Sequence, residues 1–394
     1  MIATLHKYHL ILLLAGGHLL NDFYCNFLPV LLPLIMPKLD MSITMSGLLI
    51  MVMSITSNVL QPVFGYYMDK HDLSRLLVPA IPFGALFICS IGFVESKYLL
   101  FLVIALTGLS VSAFHPLGSS LVSKAADSKS IGFALSLYVA GGNIGFACAP
   151  IVIVSFTQNT SLDFLPVLII PSLFISIAYY CSKLTHFSTN PEQPAKQNEN
   201  SFSVLSLLSN SAILRLNAAM GLRAWTHTAI STFLPLLLIQ HGLSPLLAGS
   251  MLTFFLVGAA CGGLLGGALG DRFGHKRIVI LFLLAGVLPA GYFFTHPEPA
   301  LSSLCALFIC GASLQGPQPS SLLWAQRLLP NNAGMASGMM MGLSFGLGSA
   351  GTALSAALAD HIGLDMALAL TALPVFLAAV TAFYTPFPVE KQHL

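Results

Sequence analysis

The sequence predicts an all-α, polytopic membrane protein whose twelve transmembrane helices form two pseudo-symmetric six-helix bundles. Three observations carry this reading. Charged residues are only 8% of the 394-residue chain, against about a quarter in a soluble domain, and the mean hydropathy is +0.85. At roughly 20 apolar residues per crossing, so few charges leave room for about a dozen spans. Finally, the chain repeats itself: the loop Gly267-Ala-Leu-Gly-Asp271-Arg272-Phe-Gly274-His-Lys276-Arg277 has a looser copy, Gly65-Tyr-Tyr-Met-Asp69-Lys70-His-Asp-Leu-Ser-Arg75, 202 residues earlier.

In chain order, helices are expected near 8–36, 46–68, 75–94, 97–123, 131–156 and 162–182, then near 210–240, 246–270, 276–296, 299–326, 333–358 and 364–386. The first begins after Lys7 and runs apolar well past signal-peptide length with no small-residue cleavage site, so it is read as a retained span. The second and the eighth end in the two copies of the repeated loop. Between the sixth and the seventh, the run from Ser182 to Asn200 is too polar to enter lipid and too rich in Pro and Asn to form a core. The expected organisation is therefore a bundle over 1–182, a cytoplasmic linker over 183–209 and a second bundle over 210–394. A transmembrane barrel would show alternating segments of about ten residues, and none occurs.

Basic residues orient the spans. Lys7, Lys70, Arg75, Lys124, Lys129, Lys183, Lys196, Arg272, Lys276, Arg277, Arg327 and Lys391 fall on one side, and only Lys38 and Lys97 on the other. The positive-inside rule then puts both termini and the linker in the cytoplasm of a cell inner membrane. A net charge of +2 gives no reason to expect nucleic acid. The seven cysteines, without metal-like pairing, read as small buried hydrophobes, so neither metal nor cofactor is expected. No phosphate-cradling loop, His-Glu-x-x-His or Gly-x-Ser-x-Gly elbow is present, which argues against an enzyme. A monomer needs no further interface, and the lipid bilayer is the surrounding partner.

The repeat extends beyond the loops. Phe27-Leu-Pro29 recurs as Phe233-Leu-Pro235, Ser42 and Gly47 answer to Ser244 and Gly249, and Ser119-Ser120 to Ser320-Ser321. Two halves in parallel orientation follow, with a substrate site expected between them near the midplane. The paired loops, the six-plus-six layout and the linker resemble the major facilitator superfamily over essentially the whole chain. Within it, His18-Leu-Leu-Asn21-Asp22, Phe114-His115-Pro116 and Gly141-Gly142-Asn143 resemble the fosmidomycin-resistance branch of proton-coupled drug exporters. That resemblance implies efflux of a small molecule driven by the proton gradient. The chain departs from the branch pattern at Leu117 and Gly118, where a carboxylate often follows His-Pro, so a proton-coupled importer or a facilitator stays open.

The repeated loops have a physical role of their own. Gly65, Gly267 and Gly270 are expected to let helices approach closely, and Asp69 and Asp271 to accept hydrogen bonds from a helix N-terminus and latch the cytoplasmic side. With Arg75, Arg272 and Arg277 they form the candidate gating set; the alternative is a solvated charge cluster that fixes topology. Glycine ridges at 258, 262, 266 and 270, and at 338, 342 and 346, suit close packing, and Pro150 is expected to bend or end its helix.

Function is sought where the halves differ. Asp22 is the one acid placed deep in the membrane, and an ionised carboxylate there costs about 2.5–3.5 kcal/mol unless protonated, paired or hydrated. Asp22 and Arg223 each lie roughly 20 Å into their helices at 1.5 Å per residue. His18 precedes Asp22 by four residues and His227 follows Arg223 by four, so each pair shares a helix face. Asp22 is read as the carrier of the coupled proton, with His18 and His115 tuning or relaying it. Arg223 either pairs with Asp22 or binds an anionic group of the substrate. Asn21, Gln61, Asn143, Gln315 and Gln318 are candidates to line a polar cavity, joined by His227, and Tyr24, Tyr138 and Trp225 to line it with aromatic surface. A non-transporting membrane receptor is the reading from another class, and the chain shows no large soluble loop or appended domain to support it.

Overall fold

The computed structural model describes residues 2–126, 131–182, 184, 210–329, 336 and 339–388, so the expected linker falls outside it apart from Leu184. Every regular element among the described residues is helical. The first half contains α1 (Ile2–Cys25), α2 (Phe27–Lys38), α3 (Ile43–Ser54), α4 (Gln61–Lys70), α5 (Leu77–Cys89), α6 (Lys97–Ala125), α7 (Ile131–Asn159) and α8 (Ile170–Cys181). The second contains α9 (Ser211–Gln240), α10 (Pro245–Phe273), α11 (His275–Thr295), α12 (Leu301–Gln315), α13 (Pro317–Leu328), α14 (Ser344–Ile362), α15 (Leu364–Ala369) and α16 (Ala372–Tyr384).

Ten helical stretches among the described residues are long and apolar enough to cross a membrane. The two other expected spans are helical as well, and their chemistry explains their lower apolarity. α9 carries Arg215, Asn217, Arg223 and His227, while the span near 299–326 is broken at Gly316-Pro317 into α12 and α13. The expected second span is likewise interrupted, by a π-helical turn at Ile55–Val59. Such a turn leaves backbone groups to be satisfied locally, and Thr56 Oγ1 donates to Val52 O at 2.9 Å. Large apolar side chains face outward, among them Leu264, Leu288 and Phe174, as a lipid-facing surface requires.

The chain divides into two compact units, residues 1–41 with 52–197, and residues 42–51 with 198–394. In the first, α1 packs chiefly on α7. Gly141 and Gly145 make that possible, because a Cβ at these positions would lie 2.3 Å from Ala15 O and 1.9 Å from Leu19 O. α7 runs through Pro150 to Asn159, so the proline does not end it. Neighbouring turns of the helix and the packing around them carry the missing hydrogen bond.

In the second unit α10 packs against α12, and the glycine ridge has the role expected of it. A Cβ at Gly258, Gly262 or Gly266 would lie within 2.4 Å of the carbonyl oxygens of Phe308, Ala312 and Gly316 respectively. α14 approaches α9 through Gly348 and Gly351, against Ala224 and Trp225. Tight packing is not found at two of the repeated-loop glycines: a Cβ at Gly65 would meet nothing within 4 Å, and one at Gly267 only Pro319 at 3.6 Å. Close approach occurs instead one turn on, at Gly270, 2.2 Å from Ser320 Oγ. The loop then turns at Gly274, whose φ of 95° lies in the region glycine tolerates best.

Candidate functional site

The first unit assembles an acid between two imidazoles. Asp22 lies on α1, His18 one turn before it, and α6 brings in His115. Asp22 Oδ2 stands 3.2 Å from His18 Nε2, and Oδ1 stands 3.5 Å from His115 Nε2. Asn21 Nδ2 donates to Oδ1 at 3.0 Å. His18 is fixed on its far side as well, since its Nδ1 lies 2.8 Å from the Tyr138 carbonyl oxygen and its ring stacks on the Tyr138 ring with centroids 4.1 Å apart. The His18 and His115 rings meet edge to face at 5.0 Å. Room for the cluster comes from α7, where a Cβ at Gly142 would lie 2.5 Å from both Asp22 Oδ2 and His18 Nε2.

This geometry restricts the protons. A carbonyl oxygen only accepts, so His18 Nδ1 carries hydrogen and the neutral ring presents a lone pair at Nε2. The 3.2 Å contact with Asp22 then needs one proton between the two groups, on the carboxyl or on the ring. One nitrogen from each imidazole and one carboxylate oxygen lie within 4.8 Å of one another, a set of donors also able to hold a metal ion.

The second unit assembles a cation. Arg223 on α9 is 1% exposed, and its Nη1 donates to Leu314 O at 2.7 Å and Gln315 Oε1 at 3.0 Å. Gln315 Nε2 donates to Gln318 Oε1 at 2.6 Å, which aims the Gln315 oxygen at the guanidinium. The Phe345 ring lies 5.6 Å from the guanidinium carbon. Each of the two deep charges is thus held by groups of its own unit.

Other expected site residues make contacts of their own. Tyr24 is buried and donates to Leu168 O at 2.6 Å, which makes it a packing residue. Gln61 turns back on its own helix, to Ser57 O at 2.8 Å. Asn143 is exposed. Trp225 bonds Ser355 Oγ on α14 at 2.7 Å, and His227 packs against Phe255 with ring centroids 5.4 Å apart.

At the repeated loops, Arg75, Arg272 and Arg277 lie at helix starts and ends, while the side chain of Asp69 falls outside what the structure describes. Asp271 caps no helix N-terminus among the described residues; its partner is His275, 3.7 Å away and four residues on. Asp360 is a carboxylate that does cap a helix, accepting from Ile43 N at 3.0 Å and Thr44 N at 2.9 Å. Nothing local in the sequence joins Asp360 to residues 43 and 44.

The family model of the Major Facilitator Superfamily matches residues 14–353. The chain is 30% identical over 387 residues to the MFS-type transporter YfnC of Bacillus subtilis, covering 96% of this chain and 93% of that one. It is 26% identical over 375 residues to the fosmidomycin resistance protein of Escherichia coli, covering 93% and 90%. Among solved structures, a bacterial homologue of the lysosomal transporter Spinster aligns at TM-score 0.78 and 13% identity, over 96% of this chain and 97% of that chain. The nucleoside transporter NupG aligns at TM-score 0.72 and 17% identity, over 95% and 98%. The chain belongs to the Major Facilitator Superfamily and is a multi-pass membrane transporter of a small substrate, not an enzyme.

Proposed function

We propose that the protein exports a small molecule across the bacterial inner membrane in exchange for protons, by alternating access of two six-helix halves spanning 1–182 and 210–394. The observation that carries this reading is the 3.2 Å contact between Asp22 and His18, which holds one proton. Removing that proton sets a carboxylate oxygen against an imidazole lone pair, and the contact becomes repulsive. Proton loading and release therefore move the pair, and His115 on the other carboxylate oxygen is the second imidazole able to take or return the proton. In the exporting cycle, protons enter from outside as substrate leaves, with Asn21 orienting the acid, Tyr138 orienting the His18 ring, and Arg223, Gln315 and Gln318 forming the polar substrate-facing group.

Both termini and the linker face the cytoplasm in this reading, supported by the distribution of Lys and Arg. The loop residues Gly65, Asp69, Arg75, Gly267, Asp271, Arg272 and Arg277 serve the cytoplasmic gate, and the protein works as a monomer. The fosmidomycin resistance protein makes fosmidomycin the first compound to test.

In proteoliposomes with an acidic interior, wild-type protein facing inside-out should accumulate fosmidomycin, and collapsing the gradient should stop it. Asp22→Asn should lose gradient-driven accumulation while still exchanging labelled for unlabelled substrate. Accumulation at the wild-type rate in that variant would overturn the proton role, and uptake that follows protons in the same direction would replace antiport by symport.

A further inference from the structure

The Arg223 guanidinium is anchored on one edge only. Nη1 holds two acceptors, yet Nε is sealed from solvent and has no hydrogen-bond partner. Nη2 has no hydrogen bond among the described residues either. Nε–H and Nη2–H point the same way, so the unpartnered edge is the side fork of the arginine, two parallel donors suited to two oxygens of one acid group. A polar group this deeply buried is almost always bonded.

The charge balance points the same way. Acidic residues described in the second unit, Asp271, Glu298, Asp360 and Asp365, all lie at helix ends or in loops. Within its own unit the guanidinium thus has carbonyl and amide oxygens for partners and no carboxylate. Its orientation is nevertheless fixed, by Leu314, by Gln315 through Gln318, and by the Phe345 ring. A pre-oriented cation with an unpartnered fork is how a protein selects a two-oxygen anion over a neutral molecule of the same shape.

We propose that the Nε–Nη2 edge of Arg223 seats an oxyanion of the transported molecule, a carboxylate or a phosphonate, side-on through two hydrogen bonds. This rests on the transporter reading above and adds the chemical class of the cargo. Its recognition depends on the fork and not on positive charge alone, which separates arginine from lysine at this position.

The test is equilibrium binding to the purified full chain in lipid nanodiscs at one pH, with no gradient, using benzoate, phenylphosphonate and the neutral benzamide as probes. Wild-type protein should bind benzoate, phenylphosphonate or both at millimolar concentration, and benzamide at least about tenfold more weakly. Binding by one anion alone says whether the cargo's group is planar or tetrahedral. Arg223→Lys keeps the charge and removes the fork, so it should weaken anion binding about tenfold or more. Should that variant fail to fold, Gln315→Asn withdraws the amide that anchors Nη1 and should weaken the anions about threefold or more, and by more than it weakens benzamide. Anion binding at wild-type strength in the folded variant, equal binding of benzamide, or no anion binding would overturn the proposal. Gradient-driven fosmidomycin transport that persists in that case would leave the proton reading standing.

Discussion

A methyl group at position 142 would lie 2.5 Å from Asp22 Oδ2 and from His18 Nε2, the two atoms that meet at 3.2 Å. Both are ends of side chains, so the clash is taken up by displacing the Asp22–His18 contact and the helix backbones stay in place. Gly142→Ala should therefore fold with a melting temperature within about 3 °C of wild type. It should also lower gradient-driven transport about tenfold, equivalent to about 1.4 kcal/mol in the barrier. Gly145→Ala is the contrast, because its methyl would meet the Leu19 backbone carbonyl at 1.9 Å, and backbone cannot swing aside. That variant should lose stability first, and equal melting temperatures for the two would refute the distinction. The sequence made the acid and its histidines legible: a single deep carboxylate with an imidazole four residues earlier declares itself by spacing. It gave no contact to Gly142, seen only as part of the Gly141-Gly142-Asn143 motif, or to the Tyr138 carbonyl, because neither a missing side chain nor a backbone oxygen leaves a residue type that names its partner. Nor did it give the partners of Tyr24, Gln61 and Trp225, since a polar or aromatic group in a span looks alike whether it faces a cavity or bonds a neighbour, here Leu168 O, Ser57 O and Ser355 Oγ.

Among the elements, α10 and α12 approach each other through glycine, and this fixes which substitutions the second unit tolerates. A side chain at Gly262 would start 2.0 Å from Ala312 O, so Gly262→Val must push the helices apart along several turns. Overpacking of this kind costs roughly 1–3 kcal/mol, and the variant should unfold at lower denaturant by that amount. Gly291 on α11 has nothing within 4 Å of its would-be Cβ, so Gly291→Ala should instead gain about 0.5–1 kcal/mol from the lower entropy cost of fixing alanine in a helix. Unfolding midpoints in a detergent titration check both, and a destabilised Gly291→Ala would show that surroundings other than contact decide. The spacing of four that marks this ridge was readable because a helix repeats its faces. The π-helical turns at Ile55–Val59 and Met339–Leu343 were not, because one extra residue in a turn changes register without changing composition.

For the molecule as a whole, duplication and membrane character were readable from composition and from two matching loops, since both are properties of long stretches. Long-range capping was not. The boundary between the two compact units falls inside α3, after Met51, and the start of that helix is counted with residues 198–394. Two contacts account for this: Asp360 accepts from the first two amides of α3, and a Cβ at Gly47 would lie 2.5 Å from the Cβ of Ala356. The first amides of any helix lack partners within it, and here a carboxylate more than 300 residues away supplies them alongside Ser42, whose hydroxyl accepts from Met45 N at 3.2 Å. Asp360→Ala should leave those two amides with water alone, so hydrogen exchange at Ile43 and Thr44 should quicken about two- to fivefold while exchange in α9 stays at the wild-type rate. Asp360→Asn keeps one acceptor oxygen and should fall between. Unaltered exchange at both positions in Asp360→Ala would mean that Gly47 packing alone holds the start of α3, and the capping role of this carboxylate would be lost.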